Sequence, residues 1–255
     1  MLIVLFLCAK NVQTNWGEKV KIGIMQPYLF PYIGYFSLIN YCDKFIFFDT
    51  PQYISHGWVN RNRIIKQDGS LNFFIVPIRK CHRETPIKDI KICNDMKWKE
   101  KIYGQLTVYK KKAPNYEVVR EIIEKVFEQD YGDSLSRLSI LSVMEVCRYL
   151  NIRRDFSVYS NMGLDIEEVH APDEWALNIT QACHGDIYVN PPGGMSFFDR
   201  GKYQEKGIEL QFLRQHFKQY VQKIGHFEPA LSIIDIMMFC SVEEIIDMLN
   251  DFEIL

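Results

Sequence analysis

Neither sign of charge prevails in this 255-residue chain: 30 Lys and Arg stand against 32 Asp and Glu, a net charge of −2. A long nucleic acid therefore finds no electrostatic footprint, although a local basic pocket is compatible with that total. The seven cysteines (Cys8, Cys42, Cys81, Cys93, Cys147, Cys183, Cys240) are scattered and never spaced C-x-x-C. That argues against a disulfide framework and a zinc site; reduced thiols in a cytoplasmic protein are expected. His56, His82, His170, His184, His216 and His226 show no i,i+4 pairing and no carboxylate at ligand spacing, so no structural metal is expected. Internal repeats and low-complexity tracts are lacking.

Long apolar runs are also scarce. "MLIVLFLCA" has nine residues before Lys10, too short for a membrane span, with no basic region ahead of it and no small residue before Cys8. Trp16 to Val20 can be encoded by TGG-GGA-GAA-AAA-GTG, a ribosome-binding sequence followed by a GTG start codon. Residues 1–19 are thus expected to be a non-native extension, and residues 20–255 one α/β domain. N-terminal mass spectrometry of natively expressed protein should find residues 1–19 absent.

What the chain does have is a 47% hydrophobic fraction and 14% aromatics, enough for a core and for aromatic-lined clefts. "VKIGIM" (20–25) reads as a buried strand, "GYFSLINYC" as a helix and "DKFIFFD" (43–49) as a second strand, the β-α-β opening of a parallel sheet. "LNFFIVPI" (71–78) and the alternating "IKDIKI" (87–92) read as strands. From about 95 to 150, apolar residues three and four apart (Val118, Ile122, Val126; Leu138, Leu141, Val146) predict two or three amphipathic helices, broken at Pro114. Strands follow at 155–160, in "DIYV" and at 208–213, with a helix from Pro172, and the tail reads as two helices, the second capped by Ser241 with Glu244 three residues on. The expected fold is α/β, a Rossmann-like and mainly parallel sheet with a helical insertion and C-terminal helices.

Ligands of open parallel sheets bind at the carboxyl ends of the strands. Three loops in such places are chemically unusual. "QPYLFPYIGYF" (26–36) places Gln26 after a strand and Gly34 at a helix start, where backbone N–H groups face an anion. "TPQYISHGWVNRNRI" (50–64) sets Asn60, Arg61, Asn62 and Arg63 beside Trp58: two guanidiniums to grip a phosphate and an indole on which a base or sugar stacks. The alternative is a solvated strand edge carrying an ion pair or two. If this segment is a strand, Arg61 and Arg63 share one face and Asn60 and Asn62 the other. "NPPGGMSFFD" (190–199) offers Asn190 and a Gly193-Gly194 nest for oxyanions, or a plain turn.

With "DKFIFFD", "TPIKDI" (85–90) and "LSIID" (231–235), these loops resemble the WbqC-like family, bacterial proteins of surface-polysaccharide and O-antigen gene clusters, in consistent order from residue 20 onward. The resemblance implies a role in decorating sugars, with glycine transfer onto an amino sugar proposed for one branch. More distantly, the opening resembles the nucleotidylyltransferases, whose H-x-G-H histidines would fall on Tyr32 and Tyr35. A tyrosine is neutral at pH 7 and does not supply an imidazolium's charge, so nucleotidyl transfer is not carried over.

The leading expectation is an aminoacyl or acyl transferase acting on an amino sugar, nucleotide-linked, in surface-glycan biosynthesis. Asp49 and His56 are both candidate bases; Asn60, Asn62 and the Gly193-Gly194 backbone are candidate oxyanion donors; Arg61 and Arg63 would hold a phosphate. No tightly bound cofactor is expected, only an activated acyl donor or ATP as co-substrate. The alternatives are a non-catalytic nucleotide-sugar binding module and an ATP-dependent ligase with an acyl-adenylate intermediate.

Overall fold

The computed structural model describes residues 19–223 and 226–255; the expected alternative start falls largely on residues 1–18, outside them. β1 (Lys21–Met25) passes through α1 (Ile33–Tyr41) into β2 (Lys44–Phe47), its parallel neighbour. The chain then makes a long excursion before β5 (Asp155–Val158) pairs in parallel with the outer side of β2. Next it crosses back: β6 (Ile187–Asn190) joins the free side of β1, β7 (Glu209–Gln215) joins β6, and β8 (Phe252–Ile254) closes the edge antiparallel to β7. The order β5-β2-β1-β6-β7-β8 is doubly wound, with its switch point between β1 and β6.

Alternation along the strands explains the layering. Phe45, Phe47 and Val189 face the larger core with α1, whereas Ile22, Ile24, Ile46, Tyr188 and Leu210 face a second core. That second core is covered by α6 (Glu174–Ala182) and α7 (Arg200–Glu205), through Leu177, Ile179 and Tyr203. A period of two thus sends side chains to opposite faces, and crossover helices cover both.

The excursion contains the expected helical insertion: α2 (Trp98–Leu106), α3 (Tyr116–Glu128) and α4 (Leu135–Tyr149). On α3 the fully buried stripe is Val119, Ile123 and Val126, while Val118 is exposed. "VVREIIEKV" carries two competing apolar stripes, and the larger Tyr116 and Phe127 pull the second one inward. The insertion also holds an antiparallel ribbon, β3 (Arg61–Ile65) with β4 (Leu71–Ile75). "IKDIKI" is not a strand: Ile87–Asp89 form a 3-10 turn, and the Ile87 and Lys88 amides donate to the carbonyls of Pro51 and Asp49. Pro86 sets this turn, so the alternating pattern records buried isoleucines in a connector. After β5 comes the short α5 (Tyr159–Met162), and α8 (Ile233–Phe239) and α9 (Val242–Leu249) form the C-terminal pair, with the Ser241/Glu244 capping box in place.

Candidate functional site

A cleft of about 660 Å³ opens beside the switch point, over the carboxyl ends of β1, β2 and β6. Its size is that of a small-molecule site, roughly 300–1,000 Å³. β1 contributes Ile24 and Gln26, β2 leads into Phe48, Thr50, Pro51 and Gln52, and β6 contributes Tyr188. Pro172, Trp175 and Ala176 come from the start of α6, and Phe197 and Phe198 from the turn after β6.

Aromatic rings form both walls. On one, Phe48, Tyr159 and Trp175 pack together with centroids 5.2 to 6.1 Å apart; on the other, Phe198 meets Phe197 at 5.2 Å and Tyr188 at 5.6 Å. Trp175 and Phe197 remain 37% and 51% exposed. Such rings at a cleft mouth expose faces on which a planar ring or a sugar stacks.

No charged side chain is among the described residues that line it. The charges at the start of α6 are engaged with one another. Glu174, at the start of α6, accepts from the amides of His170 and Ala171 and pairs with Lys202 at 2.7 Å, and these contacts pull its carboxyl down to about 2. Lys202 also reaches Asp173 at 3.3 Å. The helix N-terminus beside the cleft is therefore already supplied with negative charge by its own carboxylates, and a phosphate gains little there.

Of the residues singled out from sequence, the cleft takes Gln26 directly. Asp49 stands between the wall residues Phe48 and Thr50, is buried, and accepts from the Ser160 amide at 3.1 Å and hydroxyl at 2.7 Å. It thereby fixes the turn that presents Tyr159 to Trp175. Asn190 and Gly194 lie behind the other wall: a Cβ on Gly194 would come within 2.7 Å of the Asn190 amide and 2.9 Å of Phe198. Glycine is required here so that Phe198 can pack closely. Gly193 has open space around its Cα. Gly34 is covered by the Tyr32 ring, 2.5 Å from where its Cβ would be. Tyr32 packs on Phe217, and Tyr35 is fully buried and donates from its hydroxyl to the Gln26 carbonyl at 2.9 Å.

"NRNR" has another setting. Arg61 and Arg63 share the outer face of the ribbon, and Asn60 and Asn62 point inward, as a strand dictates. Arg61 lies over Phe73 and Arg63 over Trp58, the two rings being stacked at 6.3 Å. Arg61 also donates to the carbonyls of Gly57 and His56, closing the loop in which exposed His56 has φ +63. Arg63 donates to Ala230 and stands 3.9 Å from Glu228.

The inward asparagines are bonded internally. Asn60 accepts from the Tyr53 hydroxyl and donates to the Val76 carbonyl. Asn62 donates to the carbonyls of Leu29 and Phe30 and accepts from the Arg63 amide. Phe30, at φ +41, also takes Ser232 on its carbonyl and gives its amide to Ser142. The opening loop is thus buried, and polar groups from three remote segments satisfy its backbone, as burial requires.

Sequence reasoning missed Tyr188, Trp175, Thr50, Gln52 and the phenylalanines of the walls. A tyrosine inside the otherwise apolar "IYV" was the one local signal. Among the described residues there is no cluster of three or more His, Cys, Asp or Glu able to hold a metal, and no helix is long and apolar enough to cross a membrane.

A doubly wound α/β protein with an aromatic-lined cleft beside its switch point is the class that this fold and site define. The chain belongs to the WbqC-like protein family, whose model matches residues 26–247. It is similar to a Mycobacterium tuberculosis protein described as uncharacterized protein Rv1507c, at 28% identity over 225 residues, covering 88% of this chain and 95% of that one. No solved structure matches significantly.

Proposed function

We propose that the switch-point cleft is the substrate site of a transferase of surface-glycan biosynthesis, which moves an aminoacyl (glycyl) or other acyl group onto the amine of a nucleotide-linked amino sugar. The observation that supports this reading is the aromatic-walled cleft at the carboxyl end of the sheet, in a chain of the WbqC-like family. In the reaction, the neutral amine nitrogen attacks the carbonyl carbon of an activated acyl donor. The C–N bond forms, the bond to the donor's leaving group breaks, and the amine proton passes to a base. Asp49 is favoured over His56 for that base because both of its chain neighbours line the cleft, whereas His56 sits in an exposed turn. The Asn60 and Asn62 amides are held inside the protein, which leaves the Gly193-Gly194 backbone, in the turn that carries Phe197 and Phe198, as the candidate oxyanion donor.

An uncharged wall also suits a module that binds a nucleotide sugar and hands it to a partner. Thermal shift against UDP-, dTDP- and GDP-sugars, followed by mass spectrometry with ATP and amino acids added, separates the readings. The transferase reading expects stabilisation by one nucleotide sugar and a product heavier by one acyl group. Binding with no mass gain across activated donors favours the module, and release of AMP identifies a ligase. Trp175→Ala should weaken binding of that nucleotide sugar by about 1–2 kcal/mol, the scale of one lost aromatic contact.

Arg61 and Arg63 lie on the ribbon face and make a separate test of phosphate binding. Arg61→Ala is expected to weaken nucleotide-sugar binding by about 1.5–3 kcal/mol, the scale of a hydrogen bond to a charged group. Normal binding by Arg61→Ala would remove the ribbon from the site. Arg63→Ala should lower the melting temperature as well, because it frees Ala230 and strips Glu228 of its cation.

A further inference from the structure

Tyr188 belongs both to the second core and to the lining of the cleft. It is only 2% exposed, in the middle of β6, and it is stacked on Tyr203 at 5.8 Å. Its hydroxyl nevertheless makes no hydrogen bond among the described residues. Of the other buried tyrosines, Tyr35, Tyr53, Tyr109 and Tyr203 each donate to an oxygen of the protein, whereas Tyr116 and Tyr131, which lie away from the cleft, do not among the described residues. The hydroxyl is not among the buried side-chain atoms without a partner, so it opens to the cleft that Tyr188 lines and is available there to a ligand. Burial pushes its acid constant far up, so it is a neutral donor.

Two further polar groups open to the same space. The side-chain amides of half-buried Gln26 and exposed Gln52 line the cleft and make no hydrogen bond to protein among the described residues, although the Gln26 backbone is held by Tyr35. A free carboxamide offers a donor and an acceptor side by side, which matches the edge of a ring carrying an amide or amidine function. The walls on either side are aromatic, and no carboxylate or guanidinium lines the space. Polyols are commonly gripped by charged groups that bridge neighbouring hydroxyls, and such groups are missing from this wall. Planar heterocycles are gripped by stacking and by one or two edge contacts.

We infer that the cleft is a nucleobase pocket: a planar base inserts between the Phe48/Trp175 and Phe197/Phe198 walls, with the Tyr188 hydroxyl and the Gln26 and Gln52 amides reading its polar edge. The inference rests on the proposed function for the site's location and goes further by stating which part of a nucleotide-linked substrate the cleft holds. The sugar then lies at the cleft's mouth, with its phosphates beyond the lining, which carries no cation among the described residues.

The experiment is titration calorimetry of the whole protein with uridine, thymidine, adenosine and guanosine, alongside free glucosamine and N-acetylglucosamine, with Trp175 fluorescence as a second signal. One nucleoside should bind and quench Trp175, and the free sugars should not. Tyr188→Phe should weaken that nucleoside by about tenfold, the scale of one lost hydrogen bond, and leave the melting temperature unchanged because the hydroxyl bonds no protein group among the described residues. Gln26→Glu should shift the preference among the four nucleosides, since it removes the donor and keeps the shape.

Binding of free sugars in preference to every nucleoside overturns the inference. So does full nucleoside affinity in Tyr188→Phe, or a fall in that variant's melting temperature, which would place the hydroxyl in the framework. The two readings fail separately: nucleoside binding without acyl transfer ends the transferase reading and leaves the base pocket, and acyl transfer that no nucleoside inhibits does the reverse.

Discussion

Asp235→Ala is expected to lower stability by about 3–5 kcal/mol, the largest effect of any single substitution considered, and to do so without touching the cleft. Asp235 is completely buried at the start of α8, and burial together with the Tyr109, Tyr220 and Gln222 hydrogen bonds sets its surroundings. Its carboxylate accepts from the hydroxyls of Tyr109 and Tyr220 and from the Gln222 amide at 3.1 Å. Alanine leaves the Tyr109 and Tyr220 hydroxyls short of an acceptor, while the Gln222 amide keeps the Tyr220 oxygen and the Glu228 carbonyl, and each unpaired buried polar group costs about 1–3 kcal/mol. Tyr220 and Gln222 belong to the segment between β7 and α8, so that segment loses its anchor as well.

A pH dependence follows from the same cluster. Burial raises the Asp235 carboxyl above its ordinary value, against the opposing pull of the tyrosine and glutamine hydrogen bonds. The folded state therefore holds this proton more tightly than the unfolded chain does. Stability from this group should fall as pH rises from about 4, the unfolded carboxyl value, through the raised folded value, and then level off. The difference in unfolding free energy between the natural protein and Asp235→Asn, measured by urea denaturation across that range, isolates the effect. A difference that does not change with pH would show that the carboxyl titrates normally.

Asn62→Ala is expected to cost about 2–4 kcal/mol, roughly 5–15 °C in melting temperature for a chain of this size. The Asn62 amide holds the buried carbonyls of Leu29 and Phe30, and the left-handed Phe30 backbone, unusual for a residue with a side chain, depends on being held. Ser232 covers part of the loss at Phe30 but does nothing for Leu29. The outcome separates the two meanings of "NRNR". An Asn62 that served only a ligand would leave melting unchanged and abolish binding; an Asn62 that serves the loop gives the opposite result. Denaturation followed by ligand titration on the same variant reads both.

The strand and helix pattern of the sheet was legible because both faces are covered and the side-chain period is two. Apolar runs at "VKIGIM", "DKFIFFD" and "DIYV" could hardly be anything but buried parallel strands, and Ser241 with Glu244 marks its helix without help from the rest of the molecule. The sidedness of "NRNR" followed from the same geometry. It was also legible that "QPYLFPYIGYF" was no ordinary connection.

What that loop is for was decided by tertiary structure. Its prolines and aromatics give a buried path, left-handed at Phe30, whose backbone groups need partners: Asn62 and Ser232 donate to the Phe30 carbonyl and Ser142 accepts from the Phe30 amide, at sequence separations of 32, 202 and 112 residues. A polar residue in one sequence reads the same whether its partner is a ligand or a distant carbonyl, so Asn60 and Asn62 suggested chemistry where they supply framework. Conversely, Tyr188, Gln52 and Trp175 looked like core, turn and helix, because a cleft is made of residues contributed by separate strand ends. Local sequence determined the elements and which face each side chain takes, through steric and hydrophobic periodicity. Only the packing of those elements decided which polar groups were left without a partner, because hydrogen-bond satisfaction is settled by neighbours in space.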